Sequence, residues 1–92
     1  MARSDLRYRI PYYYPFNQIL LAFGFGRAAT AGDEVHYVLH DPVLGPLRAV
    51  LGSHGVTLKF DGDEKKFRRP SELQKFLAKL ERERFRRLLS PP

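Results

Sequence analysis

The segment after Pro70 narrows the choice of folds more than any other. Leu73, Phe76, Leu77 and Leu80 recur three and four residues apart, which puts them on one stripe of a helix. Ser71 followed by Gln74 has the form of a capping box behind the proline, and the pattern predicts a helix running to about Leu89. A helix with a single apolar stripe must bury it against another element, and the segments upstream that could receive it alternate with a period of two. In 34–40, Val35, Tyr37 and Leu39 face away from Glu34, His36, Val38 and His40. Val56, Leu58 and Phe60 alternate with Thr57 and Lys59, Asp61-Gly62 is a hairpin signal because both residues tolerate positive φ, and 65–69 returns with Phe67 inward. The expectation is one α+β domain over 1–92, with a small, mainly antiparallel sheet from 34–40, 56–60 and 65–69 packed against the long C-terminal helix, and two shorter helices.

The remaining segments are read from local chemistry. Leu6, Tyr8 and Ile10 alternate with Arg7 and Arg9, a strand pattern, and Pro11 and Pro15 restrict such a strand to a short or edge position up to Tyr14. Pro15 can open a helix carrying Phe16, Ile19, Leu20 and Phe23, with Gly24 as its C-cap. Residues 24–33 have loop composition. Asp41-Pro42 ends the 34–40 strand, and Leu47, Val50 and Leu51 fit a short helix closed by Gly52 and Gly55. The ends, 1–5 and 90–92, are expected to fray.

Composition bounds the function classes. Leu, Ile, Val and Phe make up 27 of 92 residues, above the roughly one-fifth below which a charged chain tends to stay disordered. No apolar run approaches the length of a membrane span or a secretory h-region, so a soluble, cytoplasmic protein is expected. The absence of cysteine excludes disulfides, thiolate metal sites and a cysteine nucleophile. Eleven Arg against five Lys, with one Asn, two Gln and a single Met, is the direction seen in thermophiles, although a GC-rich genome moves Arg the same way.

The formal net charge of +6 is unevenly placed. Residues 1–46 hold four Arg against four carboxylates, whereas 47–92 hold twelve cations against six. Such asymmetry points to an anionic partner. On the C-terminal helix Lys75, Lys79, Arg82 and Arg86 share a ridge opposite the apolar stripe, with Glu72 and Glu83 beside it. Lys65, Lys66, Arg68 and Arg69 precede the helix and could extend that ridge. Arg7, Tyr8, Arg9, Tyr12, Tyr13 and Tyr14 interleave aromatics with arginines, and rings such as Tyr12 and Tyr13 are of the kind that stacks bases of a single strand, although a core position or a subunit contact would use tyrosine equally well. Phe85 and Leu89 lie far round the helix from the stripe, and either a second copy of the chain or the tyrosine segment could cover them.

The catalytic alternatives are poorer. His36 and His40 on a strand stand about 13 Å apart, too far to share an ion. Ser53 beside His54 has no carboxylate placed to orient the imidazole. Asp61, Asp63 and Lys65 resemble the carboxylate-and-lysine pattern of Mg²⁺-dependent nucleases, but on a hairpin tip. The sequence therefore reads as a non-catalytic protein without metal or cofactor that binds nucleic acid through phosphates with little sequence preference. The alternative is a homo-oligomeric interaction module without nucleic acid.

Overall fold

The computed structural model describes residues 6–90. Two short helices, α1 (Leu6–Arg9) and α2 (Tyr13–Phe23), lead into five strands, β1 (Gly26–Ala31), β2 (Glu34–Asp41), β3 (Gly45–Gly52), β4 (Gly55–Phe60) and β5 (Asp63–Phe67), and the chain closes with α3 (Pro70–Leu89). The strands form one antiparallel meander in the order β1-β2-β3-β4-β5. The α+β arrangement with a long C-terminal helix and two shorter ones is as the sequence implies. Of the expected frayed ends, 1–5 and 91–92 lie outside the described residues, whereas Ser90 caps α3, both its N–H and its Oγ donating to the Arg86 carbonyl at 3.0 and 2.9 Å.

Alternation divides the sheet into two faces. Val35 and Tyr37 of β2, Leu47, Ala49 and Leu51 of β3, Val56 and Leu58 of β4 and Phe67 of β5 are buried on one face. Against them lie Phe16 and Leu20 of α2 and Leu73, Leu77 and Leu80 of α3, with Phe76 packed between the Phe60 and Phe67 rings. Both helices cover this face, so the opposite face stays open, as antiparallel sheets allow.

Three segments differ from their sequence reading. The 6–14 stretch is helix and turn, not an edge strand: residues 10–12 separate α1 from α2, Tyr12 taking a left-handed φ of 60°, and the break turns Ile10 and Tyr13 into the core. Helix α2 starts two residues before Pro15, which needs no N–H in a first turn, and it ends at Gly24 as expected, the Gly24 N–H reaching the Leu20 and Leu21 carbonyls. Residues 26–31 are strand, not loop. All six are exposed, so apart from the Arg27 side chain β1 is held by backbone pairing to β2, with a bulge between Arg27 and Ala29. Residues 47–51 are strand, not helix, because β3 pairs on both sides and buries Leu47, Ala49 and Leu51. The capping box also fails: the N-cap of α3 is Arg69, without a side-chain cap, and Pro70 is the first helical residue. Proline's preference for that position places Ser71 inside the helix, where it cannot cap.

Two polar clusters fasten the helices to the sheet. Under α2, the buried Tyr37 hydroxyl donates to Asn17 Oδ1 at 2.7 Å, Arg27 donates to the same oxygen at 3.3 Å, and Arg27 also reaches the Tyr13 hydroxyl. Burial, together with Tyr13, pushes the Tyr37 hydroxyl above its ordinary pKa despite Arg27, so it remains a donor. Tyr37→Phe removes that donor while Arg27 still serves Asn17, and chemical denaturation should show a loss of about 1 kcal/mol.

At the β2–β3 turn, Asp41 is buried and accepts from the Val43 and Leu44 N–H groups at 2.8 and 2.9 Å and from Arg84 of α3 at 2.7 Å. Burial opposes its ionisation, but the Leu44 N–H, the Arg84 guanidinium and the Val43 N–H outweigh it and hold the carboxyl below its usual pKa. A carboxylate whose folded pKa is depressed stabilises above the unfolded pKa, about 3.9, and loses that contribution as pH falls through the folded value. Asp41→Asn keeps an acceptor for the turn but not the charge. Weakening its hydrogen bonds in this way should cost about 2 kcal/mol at neutral pH, and the variant's stability should converge with that of the wild type in acid, as pH-dependent thermal unfolding would show.

Candidate nucleic-acid interface

Carboxylates decide which cations remain open. Asp33 pairs with Arg9 at 2.9 Å, Asp41 and Glu81 both hold Arg84, and Glu83 takes Arg87 at 3.1 Å together with Arg86. Hydrogen bonds from Arg87 and Arg86 keep the Glu83 carboxyl below its ordinary pKa. Among the described residues, Arg48, Lys59, Lys66, Arg68, Arg69, Lys75, Lys79 and Arg82 are exposed and have no carboxylate within ion-pair distance.

The fold sorts these cations onto opposite sides. Leu73, Leu77 and Leu80 point into the core, so Lys75, Lys79 and Arg82, about half a turn round α3, point away from the sheet. Arg86 belongs to the same ridge but is engaged by Glu83. On β5, Lys65 pairs across to the buried Leu58 and sits over the Phe76 ring at 5.6 Å, so it belongs to the helix side. Lys66 pairs with Thr57 and turns to the open face, with Arg68 near it around a recess at the β3–β4 turn. The expected continuation of the ridge is therefore split: Lys65 and the N-cap Arg69 stay near α3, while Lys66 and Arg68 leave it.

The open face gains two cations that the sequence reading passed over. Arg48 of β3 lies directly opposite Lys59 of β4, and both border a second recess formed with His36, Val38 and Val50. Two like charges opposite each other in a ladder are unfavourable for the sheet. The signal for Arg48 was the alternation of Leu47, Ala49 and Leu51, which the helical reading of 47–51 obscured.

The tyrosines do not act as a unit. Tyr13 is buried, only 5% exposed, and serves α2 packing, whereas Tyr12 is 56% exposed. Tyr8 and Tyr14 are exposed as well. Phe85 and Leu89 are 57% and 79% exposed, so the tyrosine segment does not cover them. Asp61 takes a positive φ in the β4–β5 turn and Asp63 begins β5, both exposed. No three metal-ligating side chains come together among the described residues, and none of their helices is long and apolar enough to cross a membrane.

No family model, curated protein or solved structure matches the chain.

Proposed function

We propose that this is a non-catalytic nucleic-acid-binding protein of the cytoplasm that holds the phosphate backbone with little sequence preference. One observation carries the reading: among the described residues, exposed lysines and arginines have no carboxylate within ion-pair distance, whereas Asp33, Asp41, Glu81 and Glu83 are taken up by Arg9, Arg84, Arg86 and Arg87. The ridge Lys75, Lys79 and Arg82, with Arg86 held back by Glu83, offers donors on a straight element at a spacing suited to a backbone. The open sheet face offers Arg48, Lys59, Lys66 and Arg68. Among the described residues the open face exposes no Phe or Tyr ring, only the His40 imidazole, so stacking contributes little there and duplex should bind about as well as single strand.

Fluorescence anisotropy with labelled single-stranded and duplex oligonucleotides at two salt concentrations tests this. Binding to both that weakens at the higher salt is expected, with Tyr12→Ala leaving duplex affinity unchanged. A loss confined to single strands in that variant would instead mark Tyr12 as a stacking residue, worth about 1 to 3 kcal/mol per base. No binding at low salt contradicts the proposal.

The second reading is homo-oligomerisation without nucleic acid, favoured by Phe85, Leu88 and Leu89, three large apolar side chains exposed in the last turns of α3. Light scattering at high micromolar concentration should then give a dimer mass that Phe85→Ser returns to monomer. A monomer in both proteins contradicts it.

A further inference from the structure

We infer that the chain bridges two nucleic-acid segments, one on the α3 ridge and one on the open sheet face. The inference rests on the phosphate-binding reading above and goes beyond it in requiring two independent surfaces. Helices α2 and α3 cover one face of the sheet and the unpaired cations of α3 point away from it, so the two cationic sets look in opposite directions. A sheet, a packed helix and outward side chains on both sides separate the charged ends by about 20 Å. At physiological salt the screening length is about 8 Å, so a duplex on one side neither blocks nor much disfavours a duplex on the other.

Each side is sufficient by charge. The sheet face presents Arg48, Lys59 and Lys66 on three adjacent strands, with Arg68 beyond the end of β5. Strands about 4.8 Å apart and alternate residues about 6.6 Å apart give these cations separations like those between neighbouring phosphates of one strand, about 7 Å. Of the carboxylates on this face, Asp33 and Glu34 border the recess that Lys66 and Arg68 line, Asp33 paired with Arg9 at 2.9 Å and Glu34 against His36 at 3.3 Å, and Glu64 stands opposite Lys59 without reaching ion-pair distance. The facing pair Arg48 and Lys59 is a cost to the fold that a phosphate lying between them would relieve.

The experiment mixes the full chain with an immobilised duplex and a fluorescent duplex of the same sequence at low salt and measures capture of the second by the first. Capture should rise with protein, pass through a maximum and fall when excess protein saturates each duplex separately. Two variants, Lys75→Ala/Lys79→Ala/Arg82→Ala and Arg48→Ala/Lys59→Ala/Lys66→Ala, alter only exposed side chains outside the core. Each should bind a single duplex within about twofold of wild type and lose capture to background.

Wild-type binding without capture overturns bridging while leaving phosphate binding intact, and the absence of any binding overturns both. If one variant alone abolishes binding and the other changes nothing, only one face binds and bridging is wrong. Phe85→Ser is the control for bridging through a dimer. If it loses capture while the sheet-face variant keeps it, a dimer joins the duplexes and the inference fails.

Discussion

Gly55→Ala should destabilise the protein by about 4 kcal/mol or more, a large part of the roughly 5 to 15 kcal/mol available to a domain of this size. Gly55 opens β4 with φ of 107°, and a Cβ there would stand 2.1 Å from the Phe67 carbonyl oxygen and 3.0 Å from the Arg68 Cα. Both atoms are backbone at the end of β5, so relief requires parting β4 from β5 and disturbs the lead into α3. Thermal unfolding should register a fall of roughly 20 °C. Gly62→Ala is the control: its φ of 78° is also positive, but its Cβ meets open space. That variant should lose only about 1 kcal/mol, and equal losses in the two would contradict the packing explanation.

Gly55 also illustrates what could be read from sequence. Elements whose apolar period has one interpretation, β2, β4, the Asp61-Gly62 hairpin and α3, emerged with nearly correct bounds because burial on one face enforces that period. The 47–51 segment fits two periods: Leu47, Val50 and Leu51 suit a helix, Leu47, Ala49 and Leu51 a strand. Only pairing with β2 and β4, which local residues do not encode, decides between them. In β1 the small residues carry almost no pattern, since an edge strand exposed along its length needs backbone partners and little else. The Tyr12 break was illegible because a left-handed tyrosine is unfavourable locally and is held by the burial of Ile10 and Tyr13 on either side. The cationic ridge of α3 was legible, being a property of one helix. The open-face set was not, because it depends on which strands are neighbours.

Neutralising both faces together should have the largest effect on binding. Each phosphate contact contributes a slope of about −0.9 in log affinity against log salt. Loss of Lys75, Lys79 and Arg82 on one side and Arg48, Lys59 and Lys66 on the other leaves few unpaired cations on either surface. At about 50 mM salt, three lost contacts on a face correspond to a loss on the order of a thousandfold, which the remaining face can no longer mask. Circular dichroism and thermal unfolding should be close to wild type, because all six side chains are exposed. In a protein already neutralised on the sheet face, Arg86→Ala should change affinity less than Arg82→Ala, since Glu83 already competes for Arg86.

The salt dependence of duplex affinity tests phosphate binding most directly. With protein in excess over duplex, so that each protein meets a segment through one face, wild-type log affinity should fall linearly with log salt at a slope of about −3 to −4. The protein neutralised on both faces should show no measurable binding across the same range. A wild-type affinity that does not respond to salt, or a neutralised protein that binds with the wild-type slope, would contradict the account.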